Sequence, residues 1–319
     1  SPRLLTLPPE ITCEIFLLCL PDKREHDVVN PMEAPLLLTH VCGAWRQMAI
    51  SFPRLWTTFE VVCPMDVPDL YNIAEAWFER SHNLPISMKI HGALTVIQDR
   101  HGLLPKTLRQ HSSRMRSLDL NLELYILYKV NFRIVDWALL ETLSIRLFEN
   151  QIDLDDELVA EFGRVPRLRE VFVGEIPPSL ITLPWQQLTK FTGEMYTAAQ
   201  CLEALKLMSN LLECAFSVSE DDDEDDDDLE VYSHASILHF TLFESESEDH
   251  PTCSAKLLEF ITLPALRTLD LHVEDFNEGE LGSFLERSQP PLQKLSVRSL
   301  DSNLIQLQLS SLGMVSDLT

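Results

Sequence analysis

One apolar pattern recurs along most of this chain, and it restricts the possible folds more than any other feature. The pattern is h-x-x-h-x-h, in which h is apolar, and its closing alternation is typical of a β-strand with one buried face. Eight copies begin 20 to 29 residues apart. They are Met115/Leu118/Leu120, Leu140/Leu143/Ile145, Leu168/Val171/Val173, Leu188/Phe191/Gly193, Leu211/Cys214/Phe216, Ile237/Phe240/Leu242, Leu266/Leu269/Leu271 and Leu292/Leu295/Val297. Two weaker copies precede them, Trp56/Phe59/Val61 and Pro85/Met88/Ile90.

A strand motif at this period resembles the leucine-rich repeat, in which each unit supplies one strand and one helix. Several segments between the motifs support the helical half because they are amphipathic, namely 155–166, 198–210, 254–264 and 279–290. The segment 124–137 is not a clean helix and indicates long strands or an insertion. The pattern predicts an α/β fold for residues 57–319, an irregular leucine-rich-repeat solenoid of parallel strands plus helices with about 8–10 repeats. The alternative is a β/α protein whose leucine-rich strands arise by chance.

We expect the solenoid to be irregular because the sequence departs from the leucine-rich repeat in two ways. The Asn or Cys that normally follows the strand and bonds the neighbouring turn is absent from every copy. A last motif, Leu304/Leu307/Leu309, begins only 12 residues after the preceding one. That spacing leaves no room for a helix, and it indicates a terminal cap or a truncation.

The first 56 residues differ from the rest and predict a small helical unit. A first helix is expected after Leu7-Pro8-Pro9-Glu10, where Thr6 is available as a cap and the prolines suit a first turn. A second helix is expected after Pro35, with apolar residues at helical spacing until Pro53. These periodic positions are Ile11, Ile15, Leu18 and Cys19 in the first helix and Leu37, Val41, Trp45, Met48 and Phe52 in the second. A unit of this size buries little surface alone, so it needs a neighbouring domain or a partner.

Composition and charge exclude several classes of protein. The chain carries 50 acidic and 25 basic residues, a formal charge of −25, which disfavours binding to nucleic acid or to anionic membranes. The 7 cysteines form no C-x-x-C pair and are expected to be small core residues in a reducing compartment. Since no secretory signal or long apolar run is present, the cytoplasm or the nucleus is the expected location.

The most acidic stretch is the run at 219–230, which predicts a disordered loop over residues 217–235. A calcium-binding loop starting at Asp221 needs glycine in sixth place and glutamate in twelfth, where Asp226 and Tyr232 stand instead. Two other uses of the run are considered, a contact for a basic partner and phosphorylation of Ser217 or Ser219 by an acid-directed kinase.

Signatures of catalysis are missing from the sequence. None of the nucleophile, phosphate-loop, dinucleotide or zinc-protease motifs occurs, and the ten histidines are dispersed without metal-ligand spacing. We therefore expect no catalytic residues, no metal and no cofactor, and we predict that the chain is not an enzyme. An active site assembled from distant residues is the least favoured alternative.

The strand motif also predicts a binding surface. In a leucine-rich repeat, the residue between the two strand leucines faces the concave side, where solenoids bind partners. In this chain that row comprises Asp119, Ser144, Phe172, Thr192, Ala215, Thr241, Asp270 and Ser296. It is mixed and mostly small or polar, so it does not name the ligand.

The N-terminal residues resemble an F-box, in the F-box-like form of large families of mushroom-type fungal proteins. The resemblance rests on Leu7-Pro8-Pro9-Glu10-Ile11, Ile15-Phe16, Leu20-Pro21, Ala34-Pro35-Leu36-Leu37-Leu38, Val41-Cys42, Trp45-Arg46, Ala49 and Pro53-Arg54-Leu55-Trp56. Pieces further along, Trp77-Phe78-Glu79-Arg80-Ser81 and Leu183-Pro184-Trp185, are similar to segments of the same proteins. The resemblance covers residues 1–56, less than a fifth of the chain.

What this resemblance implies is a substrate receptor rather than an enzyme. F-box helices bind a Skp-type adaptor, which joins a cullin scaffold, and the repeats hold the protein to be ubiquitinated. The residues expected to contact the adaptor, or to form the core that shapes the contact, are Leu7, Pro8, Ile11, Ile15, Phe16, Val41 and Trp45. The alternative is an interaction scaffold outside the ubiquitin system, in which these helices only cap the open end of the solenoid.

Overall fold

The chain forms two compact units in a computed structural model. The first comprises residues 1–154 and 159–168, and the second comprises 155–158 and 169–319. The structure describes residues 7–21, 30–62, 70–92, 103–130, 132–147, 160–162, 164–219, 229–243, 256–272 and 278–298. Both units combine helices with parallel strands, so the fold is α/β. The helical stretch predicted as a separate domain, 1–56, falls in the same compact unit as the first four strands.

In the first unit, helices and parallel strands alternate after an all-helical start. Its described helices are α1 (Pro9–Leu18), α2 (Leu36–Val41), α3 (Gly43–Ile50), α4 (Leu70–Arg80), α5 (Leu103–His111) and α6 (Leu124–Lys129). Its strands are β1 (Thr58–Val62), β2 (Ile86–His91), β3 (Met115–Leu122), β4 (Thr142–Leu147) and the short β5 (Ala160–Glu161). Strands β1 to β4 are neighbours in chain order, and every pair is parallel.

The second unit repeats this arrangement. Its strands are β6 (Glu170–Gly174), β7 (Ile181–Thr182), β8 (Lys190–Tyr196), β9 (Glu213–Val218), β10 (Tyr232–Ser233), β11 (His239–Phe243), β12 (Ile261–Thr262), β13 (Thr268–His272) and β14 (Lys294–Arg298). Its described helices are α7 (Ala198–Leu207), α8 (Leu257–Phe260) and α9 (Glu278–Ser288). The strands β6, β8, β9, β11, β13 and β14 are neighbours in that order, all parallel. A smaller parallel pair joins β10 to β12.

The last two apolar positions of each copy of the motif, the two weaker ones included, lie on a parallel strand. The inward positions form the core because consecutive strand residues point to opposite faces. In β3, for example, Leu118 and Leu120 are fully buried, and so are Leu269 and Leu271 in β13. The parallel α/β part of the prediction is confirmed by these strands. That the repeats coil into a leucine-rich-repeat solenoid stays a prediction.

Some of the segments predicted as helices are helical in the structure, and others are not. Segment 198–210 contains α7, and segment 279–290 contains all of α9 except its first residue. In the described part of 254–264 the α-helix is the single turn α8, since Ile261 and Thr262 are extended and pair with β10. The prediction of a helix over 155–166 is wrong in its described part, where Ala160 and Glu161 are extended and Pro166 lies in a turn. In 124–137 the chain forms α6 and a short 3-10 helix, and Leu304/Leu307/Leu309 lies outside the described residues.

A tertiary contact explains the one degraded copy of the motif. Gly193 takes the place of the last apolar residue of β8, and a Cβ built there would lie 2.8 Å from both Cδ1 and Cε1 of Phe216. Phe216 belongs to the neighbouring strand β9, where Gly193 and Phe216 are register partners. The phenyl ring therefore fills the space that a leucine on β8 would need.

Side chains from one repeat bond the backbone of the preceding one, in place of the missing asparagine ladder. In each case a donor reaches a carbonyl 24 to 30 residues earlier. The pairs are Arg114 to Leu84, Asn210 to Gln186, His234 to Met208, and Arg287 to Leu258 and Ile261. Several of these carbonyls follow the end of a helix, where the last backbone groups lack partners within the helix. Hydrogen bonds between successive repeats are therefore made by different residue types, each reaching a backbone carbonyl of the preceding repeat.

Candidate docking surface

The helical start of the chain contains three helices where the sequence predicted two. Helix α1 begins at Pro9, and its N-cap residue Pro8 offers no side-chain capping bond. The predicted second helix is broken at Cys42, which is extended with φ −161° and ψ 167° and separates α2 from α3. This break changes which side chains of the two helices share a face.

The interior of this helical stretch is small and is held by a few side chains. Phe16 of α1 is fully buried, and its ring lies 5.0 Å from the ring of Trp45 on α3 in an edge contact. Leu38 of α2 and Ala49 of α3 are also buried. These residues, rather than the periodic stripe read from the sequence, form the core of the stretch.

The periodic stripe instead points away from the interior. In α1, Ile11 is 51% exposed and Leu18 is 86% exposed, whereas Thr12 and Phe16 are buried. In the described residues, eleven large apolar side chains are classed as exposed, and six lie in this stretch. Those six are Leu7, Ile11, Leu18, Met32, Leu37 and Val41. We call this set the apolar surface. Because removing aliphatic side chains from water is favourable, a group of exposed ones in one short stretch indicates a contact site.

The predicted adaptor-binding residues divide into three groups. Leu7, Pro8, Ile11 and Val41 are exposed, and Ile15 and Trp45 are partly covered. Phe16 is buried, so its place is in the core that shapes the surface rather than in direct contact. The prediction omitted Leu18, Met32 and Leu37. Leu18 and Leu37 could have been found from the same helical stripes, whereas nothing in the loop sequence distinguishes Met32.

One tryptophan joins this stretch to the first repeat. The indole Nε1 of Trp56 donates a hydrogen bond to the Ala49 carbonyl of α3 at 2.8 Å. The same ring lies 4.7 Å from the ring of Trp77 on α4, edge to face. Trp56 is fully buried, which makes it an anchor with apolar contacts on one side and a satisfied polar atom on the other.

The predicted partner-binding row is aligned by the strand register. In the first unit Asp119 pairs with Ser144. In the second unit the register runs through six strands in one line, in the order Phe172, Thr192, Ala215, Thr241, Asp270 and Ser296. All these side chains are partly exposed on the face opposite the core. Their role in binding stays a prediction.

In the first unit this polar face carries a network of charges. Lys89 Nζ lies 2.8 Å from Glu60 Oε1, and His91 Nε2 lies 3.1 Å from Asp119 Oδ1. Burial raises the pKa of the Asp119 carboxyl. Interactions with His91, the Ser144 hydroxyl and the Lys89 ammonium lower this pKa by a larger amount. The pKa of Asp119 therefore lies below its ordinary value, and the carboxylate stays charged at neutral pH.

The structure changes the picture of the acidic loop at both of its ends. Ser217 lies in β9 and is fully buried, so its hydroxyl is accessible to a kinase only after local unfolding, and its phosphorylation stays a prediction. Ser219 is partly exposed just beyond β9. The loop predicted over 217–235 is shorter because β10 occupies Tyr232–Ser233, and residues 220–228 lie outside the described part.

Four of the cysteines that the structure describes are either buried or exposed, and Cys13 is intermediate. Cys201 and Cys214 are buried, and burial raises the pKa of both thiols well above the ordinary value, which keeps them protonated and unreactive. Cys19 and Cys42 are exposed in the helical stretch, contrary to the expectation of core positions. Across the described residues, no group of three or more His, Cys, Asp or Glu side chains could hold a metal ion.

Within the ranges that the structure covers, no helix has the length and apolarity needed to cross a membrane. Comparison with known protein families and with curated proteins returned no match for this chain.

Proposed function

We propose that this chain is the substrate-recognition subunit of a Skp–cullin–F-box ubiquitin ligase, working in the cytoplasm or the nucleus. In this proposal, residues 1–56 form an F-box-like unit that binds a Skp-type adaptor. Residues 57–319 form a leucine-rich-repeat solenoid that holds the target protein. The chain supplies proximity rather than chemistry, since holding two reactants together makes their encounter effectively unimolecular.

The observation that carries the proposal is the apolar surface on α1 and α2. Six aliphatic side chains are left in water within the segment whose sequence resembles an F-box. The residues that hold the stretch together, Phe16 and Ala49, are different ones. A surface apart from the core is what a docking unit requires, because its side chains must be free to enter a partner.

The target protein is assigned to the polar face of the sheet. The row from Phe172 to Ser296 crosses six parallel strands, which is long enough for an extended contact. Small side chains such as Ala215 and Ser296 let a partner approach closely, and Asp270 adds a charge. This arrangement fits a protein ligand better than a small molecule, which needs a concave pocket.

A pull-down with a co-expressed Skp-type adaptor tests the proposal. The wild-type chain is expected to co-purify with the adaptor. Leu18→Asp is expected to weaken capture at least about tenfold, because burying one such side chain contributes about 1.5–3 kcal/mol. Ile11→Asp should weaken it as well. Phe16 is unsuitable for this test because it is fully buried, so its replacement is expected to destabilise the stretch itself.

A matched control separates docking from general solubility. Val231 is 51% exposed, the same fraction as Ile11, but it lies in the second unit before β10. Val231→Asp adds the same charge to a side chain of equal exposure and should leave capture unchanged. A wild-type chain that fails to co-purify, or equal losses in Ile11→Asp and Val231→Asp, contradicts the proposal.

A second candidate function is an interaction scaffold in which the N-terminal helices only cap the repeats. The contacts of Trp56 with α3 and α4 favour it, since a cap must pack against the first repeat. A cap alone does not explain the exposed Ile11 and Leu18. Native mass spectrometry discriminates, because a scaffold remains a monomer when the adaptor is added.

A further inference from the structure

Within the residues that the structure describes, Arg46 of α3 and Arg80 of α4 have no hydrogen-bond acceptor for their side-chain donors. Arg80 ends α4, and its guanidinium carbon lies 4.4 Å from the centroid of the Trp56 ring. The side chain is partly buried. Among the described residues, this guanidinium makes no hydrogen bond or ion pair. Five N–H donors on a half-buried cation are therefore unused, which is unfavourable unless a ligand or water meets them.

Arg46 of α3 is the second member of the pair. Its side chain is exposed and likewise has no ion pair or hydrogen bond within the part of the chain that the structure describes. Ala49 follows one turn later on α3 and accepts the indole hydrogen bond of Trp56. The tryptophan thus lies between the helix that carries Arg46 and the guanidinium of Arg80.

The two cations repel each other. Burial lowers the pKa of Arg80, the charge of Arg46 lowers it further, and Glu79 offsets part of the effect. Arg54 and Arg116 of the same unit, by contrast, lie 2.8 Å from Glu14 and from Glu141. The chain carries twice as many acidic as basic residues, yet neither Arg46 nor Arg80 has an acid at ion-pair distance among the described residues.

We propose that Arg46 and Arg80 form a binding site for oxyanions, the carboxylate or phosphate groups of an acidic segment in a partner protein. A planar guanidinium recognises such groups with two parallel hydrogen bonds. Stacking on the indole of Trp56 holds the Arg80 plane before the ligand arrives, which reduces the entropy lost on binding. The excess positive charge of the pair favours an anion that carries more than one negative charge.

This site goes beyond the adaptor and target contacts, and it uses side chains of α3 and α4 rather than residues of the apolar surface. It needs no Skp-type adaptor to bind an anion. Loss of adaptor capture in Ile11→Asp and loss of anion binding in an arginine variant are therefore separate results.

Titration of the whole chain with two probes tests the site. The probes are inorganic phosphate and a capped Glu-Glu dipeptide, added at constant ionic strength so that screening does not imitate binding. The readout is the indole ¹H–¹⁵N resonance of Trp56, which lies against Arg80. Comparison of the two probes tells whether phosphate or carboxylate is the preferred source of the oxyanion.

Three variants make the titration specific. Arg46→Gln removes one charge from an exposed side chain that makes no hydrogen bond or ion pair among the described residues, so the fold is expected to survive, and binding should weaken at least about tenfold. Arg80→Lys keeps the charge but loses the planar fork, and it should weaken binding too. Arg109→Gln removes the same charge from an exposed arginine of α5 and should bind like the wild type.

Each result of the titration either supports the oxyanion site or overturns it. A saturable shift of the Trp56 resonance that is lost in Arg46→Gln and kept in Arg109→Gln supports the site. Absence of a saturable shift with both probes overturns it. Equal weakening in Arg46→Gln and Arg109→Gln also overturns it, because general attraction to a basic region then explains the binding.

Discussion

Replacing Gly193 by alanine tests the packing that holds β8 against β9. A Cβ at this position lies 2.8 Å from two ring atoms of Phe216 and 3.1 Å from Cδ2 of Tyr196. The Phe216 ring cannot move away easily, since it is fully buried and also contacts the rings of Phe191 and Phe240. Gly193→Ala is therefore expected to destabilise the second unit.

The magnitude follows from two opposing terms. Overpacking of a well-filled core costs about 1–3 kcal/mol. Replacing glycine within a strand recovers about 0.5–1 kcal/mol of backbone entropy. The expected net loss in the free energy of unfolding is thus about 1 kcal/mol. A leucine at Gly193, which the repeat pattern would place there, should prevent the second unit from folding.

The assay is hydrogen exchange of the β8 and β9 amides as a function of urea, because it reports the stability of this region alone. Gly282 provides the control, since it lies in α9 and a Cβ there meets no atom within 4 Å. Gly282→Ala should stabilise α9 by about 0.5–1 kcal/mol. The two glycine-to-alanine changes are thus expected to have opposite signs.

A double mutant completes the test. Phe216→Leu removes the ring atoms that a Cβ at Gly193 would strike, so Gly193→Ala should cost less in that background. If Gly193→Ala is as stable as the wild type, or if Phe216→Leu leaves its cost unchanged, the argument from the Phe216 ring is wrong.

Three further predictions concern polar groups. The pKa of Asp119 is depressed, so its carboxylate stabilises the fold at neutral pH, and this stabilisation is lost as the pH falls below about 4. In Asp119→Asn, the free energy of unfolding should depend less on pH in this acidic range. Burial lowers the pKa of His234 below its ordinary 6.5, so the second unit should lose stability as the pH drops below that value. His234→Gln should abolish this loss, and His239→Gln, which alters an exposed side chain, should not. Arg287→Ala should reduce hydrogen-exchange protection of α8 by about 1–3 kcal/mol because two backbone carbonyls lose a charged donor. Lys294→Ala, which breaks only an exposed 3.4 Å ion pair, should change stability by at most about 1 kcal/mol.

The strands of this protein were predictable because their signal is local. An apolar residue at every second place fixes which side of a strand is buried, wherever the strand lies in the sheet. Copies such as Leu118/Leu120 and Leu269/Leu271 therefore revealed both the strands and their inward residues. The row from Phe172 to Ser296 was predictable for the same reason, since register between equivalent motifs aligns equivalent positions.

The segments between the strands were less predictable because their conformation depends on distant partners. Ile261 and Thr262 extend to pair with β10, although the surrounding sequence is amphipathic. The donors that link the repeats, such as Arg114 and Arg287, show no common sequence signal because unlike side chains can reach the same carbonyl.

For the N-terminal helices, sequence alone determined where apolar side chains recur, but not which of them face inward. Periodicity selected Ile11 and Leu18, whereas Phe16 was named only through the resemblance to an F-box. Only the tertiary structure decided that Phe16 packs against Trp45 while Ile11 and Leu18 remain in water. The physical reason is that burial depends on the neighbouring helices. The break at Cys42 sets the place of α3, and no pattern within α1 records it.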